Sequence, residues 1–145
     1  MGPVRCAFFI AVVCAFVLAV PAQAAQAPVT ARLIRCHPHA DQAKRFAIFE
    51  GEMHGSQSVR MEIRFDLQEA QPGGTFAPVE APGLSIWNRA AQGVQEYRYR
   101  KRVENLPAPA DYRALVRYRW RLAGGHVLRR SRALTPVCQQ PAATS

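Results

Sequence analysis

The sequence predicts an all-β fold, a seven-stranded antiparallel sandwich. Three observations carry that expectation. Apolar residues alternate with charged ones at period two in three separate runs, and none of these runs has helical spacing. Glycine-rich breaks separate the runs. The chain has 145 residues, 49% hydrophobic and 20% charged, enough for one domain and too few for two large ones.

The clearest strand covers residues 59–67. Val59, Met61, Ile63, Phe65 and Leu67 alternate there with Arg60, Glu62, Arg64 and Asp66. Over 112–122, Tyr112, Ala114, Val116, Tyr118, Trp120 and Leu122 alternate with Arg113, Leu115, Arg117, Arg119 and Arg121. Over 96–103, Tyr97, Tyr99 and Val103 alternate with Glu96, Arg98, Arg100 and Arg102. Each run sets one face on a core and one in water. Weaker strands are expected over 29–36, 44–54 and 127–138. Gly124-Gly125 marks a hairpin turn and Gly55-Ser56 a second break. Residues 70–93 are rich in Pro and Gly and read as a long connection with one or two short edge strands, since proline suits edges. Residues 139–145 read as a flexible tail.

Residues 1–24 have the layout of a secretory signal peptide. Arg5 precedes an apolar run from Cys6 to Val20, Pro21 breaks it, and Ala22-Gln23-Ala24 offers small residues for cleavage. The 15-residue run is short for a membrane span, which needs about 20. No charge occurs between Arg5 and Arg32, so an uncleaved leader is the one route to a membrane anchor. The sandwich domain is then expected over 25–138, in a secreted or extracytoplasmic protein. Cys6 and Cys14 would leave with the leader. Cleavage leaves 121 residues, removes Arg5 alone and lowers the net charge from +9 to +8. Cys36 and Cys138 remain, and a lone pair in an exported chain reads as one disulfide. Strands running pole to pole bring the ends of the first and seventh to the same pole, as that bond requires.

Residues 106–116 carry a resemblance. Leu106 precedes Tyr112 by six residues, Pro107 and Pro109 fill the turn, and Val116 follows four residues on. This is similar to the tyrosine corner of immunoglobulin-like and fibronectin type III-like domains, here of the secreted bacterial type. The resemblance implies structural roles for Leu106, Tyr112 and Val116, with Trp120 further along the same strand. The sequence departs from the type III pattern in having no tryptophan over 46–53. Its cysteines are also not at the core positions of antibody domains.

No nucleophile elbow, phosphate loop or Cys-x-x-Cys zinc spacing occurs, so neither an enzyme nor a cofactor is expected. Glu50 and Glu52 are a carboxylate pair, but Arg98 and Arg100 on a neighbouring strand make ion pairing the simpler account. His37, His39 and His54, with Met53, are the ligands a copper-type metal carrier would use, and this is the alternative function. The most distinctive feature is arginine, 17 of the 19 basic residues. Arg113, Arg117, Arg119 and Arg121 share one strand face, with Arg60 and Arg64 expected beside them and some of Arg129, Arg130 and Arg132 beyond. Such a face suits an anionic envelope component or protein. It also suits a solvated sheet surface that discourages edge pairing. Nucleic acid is not expected, because the chain is exported and its stacking aromatics are expected to point inward. The expected function is therefore a secreted, non-catalytic binding or structural module. Its contacts would come from the arginine face or from the loops around Ser56, Ala90 and Gly124.

Overall fold

The computed structural model describes residues 29–142. The leader over 1–24, with Cys6 and Cys14, lies outside the described residues, as does the end of the tail. The strands are β1 (Val29–His37), β2 (Phe46–His54), β3 (Arg60–Ala70), β4 (Ala77–Pro78), β5 (Asn88–Arg89), β6 (Glu96–Glu104), β7 (Ala110–Arg121), β8 (Val127–Leu134) and β9 (Cys138–Gln140). They form two antiparallel sheets. One has the order β1-β2-β6. The other has the order β4-β3-β7-β8, with β5 also on β3 and β9 also on β7.

Among the described residues nine strands replace the expected seven, for two reasons. The connection over 70–93 supplies β4 and β5, both on the free edge of β3. The expected strand over 127–138 is cut by Pro136, which has no N–H to give a ladder. Thr135 bridges the gap: its Oγ1 accepts from the Ala114 N–H at 2.9 Å, and its own N–H donates to the Ala114 carbonyl at 3.0 Å. The chain then pairs with β7 again, Tyr112 opposite Cys138 and Ala110 opposite Gln140. Gln139 and Gln140, placed in the flexible tail by sequence, are therefore strand residues, and Gln140 is buried.

The core lies between the sheets. Ala47, Phe49 and Met53 of β2 face Met61, Ile63, Phe65 and Leu67 of β3 and Tyr112, Ala114, Val116, Tyr118 and Trp120 of β7. These are the apolar halves of the period-two runs. A bulge between Leu33 and Arg35 resets the phase of β1, so Cys36 faces inward and Ile34 is left exposed. Buried aromatics bring their polar tips to backbone oxygens. Tyr112 Oη donates to the Pro107 carbonyl at 3.1 Å, Tyr118 Oη to Thr30 at 2.5 Å, and Trp120 Nε1 to His54 at 2.8 Å. Burial pushes both tyrosine hydroxyls well above the ordinary phenol range, which keeps them neutral donors.

Cys36 and Cys138 are bonded, with their Cα atoms 5.3 Å apart. The bond ties the edge of the first sheet to β9 of the second.

Gly51 of β2 lies directly against side chains of the facing sheet. A Cβ there would lie 2.9 Å from Val116 Cγ1 and 3.1 Å from Ile63 Cγ2. Gly51→Ala is expected to cost about 1 kcal/mol through overpacking. A lower urea midpoint with an unchanged slope would bear this out.

Candidate anion-binding face

The outer side of the second sheet is built by register. Strand β3 pairs along its length with β7, and β7 with β8. Alternation then sends every second residue of each strand outward, and the pairings turn the sequence runs into rows. Arg60 is opposite Arg121. Glu62, Arg119 and Arg130 form the next row, with Arg89 of β5 at its end. Arg64, Arg117 and Arg132 form the third. Arg113 lies opposite Gln68 beyond them. The structure thus brings together the six arginines Arg60, Arg64, Arg113, Arg117, Arg119 and Arg121, places Arg130 and Arg132 of the expected three beside them, and adds Arg89. Because β7 starts before Tyr112, Asp111 adds a carboxylate at the far end of this face.

Strands in a sheet lie about 4.8 Å apart, so arginines in register on three strands repel one another. Two carboxylates offset part of that repulsion. Asp66 accepts from Arg64 Nε at 2.7 Å, from Arg117 Nε at 2.6 Å and from Ser85 Oγ at 3.0 Å. Glu62, only 1% exposed, is gripped by Arg119, with Arg89 Nε 3.0 Å and Arg121 Nε 3.5 Å away. Among the described residues, Arg130 and Arg132 have no carboxylate within ion-pairing distance.

The outer side of the first sheet is different. There Arg32, Arg35, Arg98, Arg100 and Arg102 meet Glu50, Glu52, Glu96 and Glu104, a near balance. Glu50 is buried and accepts from Arg100 Nε at 2.6 Å, and Arg98 Nη2 lies 2.9 Å from Glu52. The ion pairing expected for Glu50 and Glu52 is present. On the second sheet, nine arginines meet Glu62, Asp66 and Asp111. The charge excess of the chain is therefore concentrated on one face.

Burial acts to raise the Asp66 pKa, but the hydrogen bonds from Arg64, Arg117 and Ser85 outweigh it and hold the carboxyl below its ordinary value of 3.8. A folded value below the unfolded one contributes stability that is complete above about pH 4 and lost as pH falls through the folded value. Asp66→Asn is expected to lower stability at neutral pH and to flatten the loss in acid. Thermal midpoints across that range check it.

Two aromatics lie on this face, and sequence reasoning missed both. Arg119 stacks on the Trp87 ring, its Cζ 3.9 Å from the centroid, and Arg113 on Phe76 at 4.0 Å. The expectation that the aromatics point inward fails for the 70–93 connection, and also for Phe46 of β2, which lies under Arg102 on the outer side of the first sheet. Trp87 and Phe76 sit in aperiodic segments, where no alternation says which way a side chain points. Beside Trp87 the sheet surface hollows into a groove of about 430 Å³, lined also by Arg64, Arg117, Arg130 and Arg132.

The three histidines do not form one cluster: His37 and His39 stack with ring centroids 6.1 Å apart, and His54 lies far from both. His37 is paired with Phe46 at one end of β2, and His54 is the last residue of that strand. At roughly 3.4 Å per residue they lie about 27 Å apart. His39 Nδ1 accepts from the Asp41 N–H at 2.9 Å, and His54 Nε2 contacts Glu52 Oε1 at 3.1 Å. Met53 is fully buried in the core. Among the described residues no helix is long and apolar enough to cross a membrane.

No protein-family model matches the chain, and neither does any curated protein sequence. The X-ray structure of Northeast Structural Genomics Consortium target SoR45 is similar to it at 14% identity, covering 79% of this chain and 83% of that chain, with a TM-score of 0.35.

Proposed function

We propose that this chain is an exported, non-catalytic binding module of the immunoglobulin-like, fibronectin type III-like kind, and that it contacts an anionic envelope or extracellular partner through the outer face of β3, β7 and β8. The domain type is supported by the strand pairing, which corresponds to the ABE and CFG sheets of such domains, and by the Tyr112–Pro107 hydrogen bond at the corner before β7. Export is supported by the leader pattern over 1–24 and by the Cys36–Cys138 bond.

One observation carries the binding face. Arg64, Arg117 and Arg132 stand in register across three strands, and Arg130 and Arg132 have no acidic partner among the described residues. A sheet surface evolved only for solubility has no need of such a row, and the first sheet shows the balanced alternative. Guanidinium groups held at strand spacing offer forked donors to sulfate, phosphate or carboxylate.

The test is binding to heparin and to anionic liposomes. A basic residue near an anionic surface contributes about 1 kcal/mol, so replacing Arg117, Arg130 and Arg132 together by serine should weaken binding about a hundredfold. Undiminished binding by a folded triple variant would contradict the reading.

A further inference from the structure

We infer that the groove beside Trp87 is a subsite for one acidic sugar unit of a polysaccharide, and this deepens the proposed role of the arginine face rather than standing apart from it. Charge alone would be served by arginines spread over a flat sheet. Here Arg64, Arg117, Arg130 and Arg132 instead border a groove of about 430 Å³ whose remaining wall includes an indole. That volume is within the range of small-molecule sites. Arg119 stacks on one face of the indole and so fixes the ring in place against the sheet. Arg119 is itself held by the buried Glu62, so the wall is braced from the core outward.

The chemistry of the lining selects the ligand. Arg64 and Arg117 each have a carboxylate partner in Asp66, whereas Arg130 and Arg132 project from the edge strand β8 without one among the described residues. An oxyanion in the groove meets the uncommitted pair from one side and the Asp66-bound pair from the other. The indole gives nothing to a bare anion. It does give dispersion contact to the C–H face of a ring carried by that anion. A sugar bearing sulfate, phosphate or carboxylate supplies both parts. An extended polymer of such units would continue along β7 past the indole toward Arg121, about 14 Å beyond Arg117.

Three probes of the full exported chain separate ring recognition from charge: dextran sulfate, polyphosphate and neutral dextran. Dextran sulfate carries charge on rings, polyphosphate charge without rings, and dextran rings without charge. Dextran sulfate is expected to bind and to perturb the Trp87 fluorescence, judged against Trp87→Phe, which leaves Trp120 as the other tryptophan. Trp87→Ala should weaken dextran sulfate binding about tenfold and leave polyphosphate binding within twofold. Trp87→Phe, which keeps a ring, should recover most of the loss, and the retained polyphosphate binding shows that Trp87→Ala does not act by unfolding. Equal effects of Trp87→Ala on both polyanions, or none on either, would overturn the sugar subsite while leaving the arginine face intact. Failure of both polyanions to bind would overturn the subsite and the arginine face together.

Discussion

Removing the Cys36–Cys138 bond is expected to cost the fold about 4–5 kcal/mol. The bond joins residues 102 apart in sequence, and constraint of the unfolded chain grows with that separation. Domains of this size have about 5–15 kcal/mol in total, so the loss takes a large part of it. The position of the bond adds to the case. It closes β1, on the edge of one sheet, to β9, the three-residue strand that ends the other. Without it β9 is held by its short pairing to β7, through Ala110, Asp111 and Tyr112, and by the buried Gln140, whose Nε2 donates to the His37 carbonyl at 3.5 Å. Cys36→Ser with Cys138→Ser should therefore lower the urea midpoint strongly, and reductant should do the same to the native chain. A loss under about 1 kcal/mol would mean that the two sheets hold their register unaided.

Glu62→Gln is expected to destabilise the fold and strengthen anion binding at once. Its carboxylate lies among Arg119, Arg89 and Arg121 and is almost wholly buried. Breaking a fully buried ion pair by removing one partner costs about 3–5 kcal/mol. Arg89 is mostly exposed and Arg121 partly so, which lets them turn to water, so a loss of about 2–3 kcal/mol is the expected figure here. The same change removes one negative charge from the face and raises its net charge by one. Affinity for heparin should rise severalfold in the variant at a temperature where it is folded. Unfolding curves and binding isotherms on the same samples check both halves. Reduced affinity in a folded variant would indicate that Glu62 holds the arginines in their binding arrangement.

Much of the fold was legible because two-sided strands write their burial into alternation. Met61, Ile63, Phe65 and Leu67 are core residues in the sequence and in the structure alike. The same parity gave the arginine face, since Arg117 and Arg119 must point away from Val116 and Tyr118. The pairing of Glu50 with Arg100 followed from strand order. What stayed hidden lies where periodicity stops. Residues 70–93 carry Leu84 and Ala90 into the core and Trp87 onto the arginine face, and no spacing rule assigns those directions. The division into β8 and β9 was signalled by Pro136, but the return to β7 beyond it depends on Thr135 filling the ladder. Arg45, which looks like one more surface cation, is buried and donates to the His39 and Ala40 carbonyls.

The most direct test of the arginine face is the salt dependence of polyanion binding. Contacts between guanidinium groups and an anionic chain weaken as salt shortens the screening length, from about 10 Å at 0.1 M to about 3 Å at 1 M. Affinity of the native chain for heparin should fall steeply and linearly on a logarithmic salt axis. The slope should become shallower when Arg117, Arg130 and Arg132 are replaced by serine. Binding that is indifferent to salt, or a slope unchanged by the triple replacement, would contradict the assignment of this face.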